Sequence, residues 1–173
     1  MGVRPGQRVS GTRIARLLRS LLDASTLCAI ATVTPRGSAY VNTAYFAWDD
    51  DFRLVWLSDA GATHSGNLRS MPSAAIAVFD SSQTWGGADR GVQLFGSAAE
   101  AGDRAMEDAH RLYTKRFPEA WDLDRIPYRF YVFRPRRVKL FAERELGAGV
   151  FVTVTVGRGG DVAWERTEKV GDA

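Results

Sequence analysis

The stretch LSDAGATHSGNL, residues 57–68, gathers Ser58, Thr63, His64, Ser65 and Asn67 where an apolar run gives way to a glycine-containing loop and a helical pattern. Hydroxyl, imidazole and amide groups at such a junction have two uses. Ser58 or Thr63 can cap the helix and leave His64 on the surface, or the junction can hold a ligand. The chain has only two histidines, and His110 lies far off within another helical pattern, so no His pair has metal-ligand spacing and no metal is expected. The single Cys28, in TLCAIATV, fits a small buried hydrophobe. No G-x-S-x-G nucleophile elbow, no G-x-x-x-x-G-K loop and no strand-borne G-x-G-x-x-G occurs, and GRGG at 157–160 sits in a hairpin pattern as a turn. No residue stands out as nucleophile, acid or base, and the catalytic set stays unassigned.

The elements that must position this junction are mostly strands. TRIARLLRSLLD places Ile14, Leu17, Leu18, Leu21 and Leu22 on one helical stripe over about 12–23, with Ser10 or Thr12 as N-cap. Short apolar runs follow at 27–33, 39–48 and 52–58, separated by TPRGS and DDD, and predict an antiparallel meander. After the junction helix, which Pro72 closes, come runs at 74–80 and 91–100. A helix over 103–117 carries Ala105, Met106, Ala109, Leu112 and Tyr113 on one face. YRFYVFRP and RRVKLFAE predict strands broken at Pro135, the loop FPEAWD carries a structural Trp121, and 149–156 with DVAWER forms a late hairpin before a frayed tail, TEKVGDA. The pattern is mainly β with peripheral helices, in a single domain over 1–173 with its barrel core at about 26–156. Closely spaced antiparallel strands must close or cover their edges, and a small barrel is the economical solution. The strand–helix–strand passage at 52–80 is short for a parallel crossover and is expected to bridge across that barrel.

Composition narrows the partners. Net charge is only +3, and basic residues do not interleave with aromatics, which argues against nucleic acid. No apolar run approaches the roughly 18 residues of a membrane span, and the basic N-terminus leads to no signal-type segment, so a cytoplasmic protein is expected. AYVNTAYFAW, FRLVWLS and YRFYVF carry more aromatics than one small barrel interior holds, so some are expected to face a second copy in a homodimer.

The order of these segments, with ATVTPRGSAYVNTAYFAWDDD, RLVWLSDAGATHSGNLRSMPSAAIAVFD and GVQLFGSAAE over about residues 12–143, resembles the flavin-binding split-barrel family related to pyridoxamine 5′-phosphate oxidase. The resemblance implies a six-stranded antiparallel split β-barrel, a homodimer, and flavin mononucleotide (FMN) at the subunit interface, with a small-molecule substrate against the open flavin face. It makes an FMN-dependent oxidoreductase the leading expectation. A deazaflavin in place of FMN, or a non-catalytic flavin or haem binder with His64 or His110 as axial ligand, is the alternative.

The same resemblance assigns residues. Ser58, Thr63, His64 and Asn67 fall at the phosphate end, where a helix start offers unpaired N–H groups and partial positive charge. His64 would donate to a phosphate oxygen; Arg69 or Arg36, neither at the family's usual position, would compensate for missing charge. Asn42, Thr43 and Tyr45 fall on the strand beside the pyrimidine end of the ring. Gln93 would bond a ring atom or a neighbouring backbone group, and Trp85 would stack on the flavin or cover the barrel mouth. The chain departs from many members in carrying His64 for Lys or Arg, Asn42 for Arg or Ser, and Gly91 where the oxidases often have Gln. It also lacks the oxidase's C-terminal Arg-rich substrate motif, so the family is implied and vitamin B6 oxidation is not.

Overall fold

Helix α1 (Gly11–Asp23) opens on Ser10, whose side chain accepts from the Arg13 N–H, and all five stripe residues, Ile14, Leu17, Leu18, Leu21 and Leu22, are buried. The computed structural model describes residues 2–119 and 127–170. After α1 come β1 (Leu27–Val33), β2 (Ala39–Tyr45), β3 (Ala47–Trp48), β4 (Leu54–Asp59), α2 (Thr63–Ser70), β5 (Ser73–Phe79) and β6 (Arg90–Glu100). Helix α3 (Asp103–Arg116), β7 (Tyr128–Ala142), α4 (Glu143–Leu146), β8 (Val150–Val156) and β9 (Val162–Lys169) complete the order.

The strands hydrogen-bond in the order β2-β1-β5-β6-β7-β4-β3, with β8 on β7 and β9 on β8. Because β3 continues the chain of β2, six strands form a ring whose ladder is split at one point, Phe46. The expected strand 39–48 is thus one strand with a break. At the break the Phe46 N–H donates to Thr26 O at 3.1 Å, and its fully buried ring lies under the Arg116 guanidinium at 4.6 Å. Arg116 donates to Leu22 O and Ser25 O, tying α3 to the same point. The expected three-strand antiparallel meander is present, with one amendment to its second pairing. β1 and β2 form its first hairpin, but β4 meets the second strand only through β3 and otherwise pairs with β7. Helix α2 spans from β4 to β5, which β6 and β7 separate in the sheet, and packs on β1, β2 and β6, so it bridges as expected.

A second correction concerns Pro135. β7 is one strand of 15 residues, not two. One edge pairs with β6; the other pairs with β4 over 128–133 and with β8 over 137–141. Pro135 falls between these two partners, where its missing N–H costs no ladder bond on that edge. Phe95 faces Arg137 and Gly96 faces Pro135, which leaves Arg136 as the extra residue of a bulge. The bulge changes parity. Before it, Tyr131 and Phe133 join the barrel core while Phe130 and Val132 join a second cluster under α3; after it, Val138 and Leu140 point inward.

Two further expectations change. The tail was expected to fray from Thr167, but β9 continues to Lys169, because buried Thr167 donates to Gln7 O at 2.7 Å and accepts from Trp164 Nε1 at 3.0 Å. Met106, expected on the buried face of α3, is 45% exposed, and only Ala109 and Tyr113 of that helix are buried. Trp121 and the last three residues lie outside the described residues. No helix among the described residues is long and apolar enough to cross a membrane.

Candidate functional site

The junction at α2 is built without a side-chain cap. The N-cap is Ala62, which has no group to offer, so neither Ser58 nor Thr63 serves as the helix cap. Ser58 lies in β4 opposite Arg129, and Thr63 is exposed in the first turn. The loop before the helix is held tightly: the Ser65 hydroxyl donates to Asp59 O at 2.8 Å, the Gly61 N–H to Asp59 Oδ1 at 2.7 Å, and Arg69 Nη1 to Ala60 O at 2.9 Å. First-turn N–H groups with no side-chain cap form a positive pole that suits an anion. The charged side chains that hold this loop are the Asp59 carboxylate and the Arg69 guanidinium.

His64 is not on the surface. It is 6% exposed, with its ring edge-on to Tyr131 at 6.1 Å between centroids, and Nε2 is buried with no partner. Burial pulls its pKa below the ordinary 6.5, so the imidazole is neutral at neutral pH. Tyr131 stacks on Trp56 at 5.7 Å, and the Tyr131 hydroxyl and Trp56 Nε1 are also buried without partners. Asn67 closes the cluster: its Nδ2 donates to Thr32 Oγ1 at 3.0 Å, both residues being buried. Asn42 Oδ1 is buried and unpartnered as well.

A second surface lies on the outer face of β2, β1, β5 and β6. Ladder pairing sets Thr43, Ala29, Ala77 and Gln93 in one row and Val41, Ala31, Ala75 and Phe95 in the next. The alanines make a flat floor. Around it stand Val41 (62% exposed), Tyr45 (56%), Phe79 (52%) and Phe95 (41%). A cavity of about 350 Å³ opens at its edge between Ser25, Leu27, Ala29, Thr43, Phe79 and Asp80, within the size range of small-molecule sites. Gln93 is exposed on this face, so its amide needs no internal partner. Trp85 is fully exposed in the loop before β6 and covers no barrel mouth.

Strand alternation therefore divides the expected site residues. Thr43, Tyr45 and Gln93 share the outer face, while Asn42, paired with the core residue Ile30, belongs to the inner one with Thr32, His64 and Asn67. Of Ser58, Thr63, His64 and Asn67, only Thr63 is exposed. Sequence reasoning missed the alanine floor, although Ala29, Ala31, Ala75 and Ala77 recur with period two in their strands, which was the available signal.

Six antiparallel strands in a ring split at one point define a split β-barrel. A sequence model described as pyridoxamine 5′-phosphate oxidase matches residues 14–142, and the chain belongs to that family. No curated protein sequence matches it. Among solved structures it is similar to a haem-binding protein from Mycobacterium smegmatis, with TM-score 0.69 and 22% identity, covering 86% of this chain and 59% of that one. The chain thus spans less than two thirds of that relative. It is also similar to HutZ, the haem storage protein of Vibrio cholerae (TM-score 0.62, 18% identity, 72% of this chain and 91% of that one). A third is an FMN-binding protein from Nostoc punctiforme related to pyridoxamine 5′-phosphate oxidase (TM-score 0.62, 17% identity, 90% and 94%). These likenesses share the fold.

Proposed function

We propose that this protein binds FMN and acts as an oxidoreductase on a small molecule, as a homodimer. The observation that carries the reading is the flat alanine floor with its hydrogen-bonding rim: a planar ring can lie on Ala29, Ala31, Ala75 and Ala77, with Thr43 and Gln93 in reach of its polar edge. The uncapped start of α2, with exposed Thr63, supplies the anion-binding end. His64 would contribute its backbone N–H there, since its imidazole packs against Tyr131. Bound flavin supplies the redox chemistry, and the chain supplies orientation and electrostatics. Val41, Tyr45, Phe79 and Phe95 form an exposed apolar rim larger than scattered surface hydrophobes explain, and a second copy would cover it.

A haem reading is favoured by the haem-binding relatives but less by the site. Neither histidine is on the alanine floor: His64 is buried against Tyr131, and His110, in α3, packs edge-on to Phe130 at 6.1 Å.

The absorption spectrum of the purified protein, followed by titration of apoprotein with FMN, riboflavin, a deazaflavin and haem, tests both readings. FMN should bind more tightly than riboflavin. Thr63→Val should weaken FMN and spare riboflavin, and Gln93→Ala should weaken both. Equal affinity for FMN and riboflavin would remove the phosphate end from the reading, and uptake of haem alone would replace it. Sedimentation should give a dimer; a monomer across micromolar concentrations would overturn that part.

A further inference from the structure

Beyond the alanine floor the outer face changes character. Across β7, β8 and β9 one ladder row runs Lys139, Thr153, Arg166, and the bulge places Arg136 and Arg137 beside it. Together with Phe95 these side chains line a groove of about 630 Å³, and two carboxylates, Glu165 and Glu168, contact three of its four cations. Arg137 Nε meets Glu165 at 2.9 Å and Arg166 Nε meets Glu168 at 3.2 Å, each guanidinium keeping further donors. Lys139 lies 3.5 Å from Glu168 and over the Phe151 ring at 4.6 Å. Arg136 forms no ion pair among the described residues.

The second observation is Thr153. It is 1% exposed, lies between the two cations of the row, and its Oγ1 has no hydrogen-bond partner. A buried hydroxyl without a partner is disfavoured, and valine would fill the same space without that cost. A hydroxyl held unpaired on the floor of a cationic groove fits a ligand that accepts from it.

We propose that this groove is a second ligand site, for a small molecule carrying two or more neighbouring phosphate or carboxylate groups. Four cations against two carboxylates leave a local excess of positive charge that, with a hydroxyl donor, matches an oligoanion, and guanidinium groups bind both oxyanions through paired N–H donors. The volume is that of a small-ligand site. The net charge of the chain is only +3, which does not favour a nucleic-acid surface. The site uses residues of β7–β9 together with Phe95 of β6; none of them is assigned to FMN, and Phe95 alone is shared with the apolar rim assigned to a second copy.

The test is calorimetric titration of the full chain at low ionic strength with pyrophosphate and with citrate. Saturable binding of one anion per chain is expected, weakening as salt rises. Preference for one probe separates a phosphate ligand from a carboxylate one. Thr153→Val should weaken binding about twofold to tenfold and Arg136→Ala about tenfold to a hundredfold, the ranges of a neutral and a charge-assisted hydrogen bond. Thr153→Val should keep or raise Tm, so its loss of binding cannot be loss of fold. Both variants should bind FMN as the unmodified chain does. Absence of saturable binding to either anion, or binding that neither variant weakens, overturns the proposal. So does FMN affinity that falls in step with pyrophosphate affinity, a single-stranded RNA that outcompetes pyrophosphate through the same residues, or a dimer that Arg136→Ala dissociates.

Discussion

Gly96 decides which side chains of β7 reach the outer face, so Gly96→Ala should be among the most damaging single changes in the sheet. A Cβ built there would stand 2.0 Å from Arg134 O and 2.9 Å from both Arg134 C and Pro135 Cα. Carbon-to-oxygen contacts sit at about 3.3–3.6 Å, so β6 and β7 must open by roughly 1.4 Å. A ladder bond of about 2.9 Å opened by that much is no longer a hydrogen bond. Losing two or three such bonds, at about 1 kcal/mol each, on top of the overpacking strain gives about 3–5 kcal/mol. Gly66→Ala is the contrasting change. Gly66 lies inside α2, and its added Cβ would meet only the flexible Arg69 guanidinium at 3.8 Å. Alanine there should stabilise by about 0.5–1 kcal/mol. Urea midpoints of the two variants and the unmodified chain decide the matter. If Gly96→Ala cost less than about 1 kcal/mol, the close approach at the bulge would be wrong, and with it the register that places Arg137 and Lys139 in the groove.

Other outcomes follow from the buried groups. His64 is held below its ordinary pKa of 6.5 by burial, so the unfolded chain takes up a proton there before the folded chain does. Stability should be full above about pH 6.5 and fall as pH drops through the window below it, and urea midpoints of His64→Gln should lack that slope. Burial pushes the Cys28 thiol from 9.0 up to about 12, so iodoacetamide should modify it only after unfolding, and stability should decline as pH rises from 9.0 toward about 12. Thr32→Val leaves the buried Asn67 amide without its 3.0 Å partner and should cost about 1–3 kcal/mol in thermal or urea unfolding.

The fold was legible wherever periodicity carried it. The α1 stripe, the first hairpin and the 149–166 hairpin all stand in the sequence as alternation or heptad-like spacing. Pro135 misled because its tolerance depends on an event elsewhere: β4 stops and β8 starts on the same edge of β7, which no local pattern reveals. Thr167 misled for a similar reason, since its partner Gln7 is at the other end of the chain. The candidate site was legible as a junction but not as a geometry. His64 has surface composition around it, yet Tyr131, distant in sequence, supplies the wall that buries it. Asn42 and Thr43 are neighbours in the sequence and occupy opposite faces, a consequence of strand alternation that matters only once the barrel is closed.

The coverage of the barrel gives a separate reason to expect partners on the outer face. Helix α3 lies over the outside of β4 and the first half of β7, burying Val55, Phe130 and Val132. Helices α1 and α2 send Leu18, Leu22 and Leu68 into the main core. Among the described residues no element lies over the outer face of β2, β1 and β5, where Val41 and Tyr45 are more than half exposed. If that face served only to complete the barrel, its outward positions would be free to carry charged residues, as they do on β7 and β9, where Arg137, Lys139 and Arg166 occupy them. Instead the outward positions are uncharged and mostly apolar: Val41, Thr43 and Tyr45 on β2, Leu27, Ala29 and Ala31 on β1, and Ala75, Ala77 and Phe79 on β5. Exposed apolar surface of this extent favours association, so the same sheet presents one half suited to a planar ligand and a second copy, and another half suited to anions. Gly96 and the Arg136 bulge stand at the boundary between them.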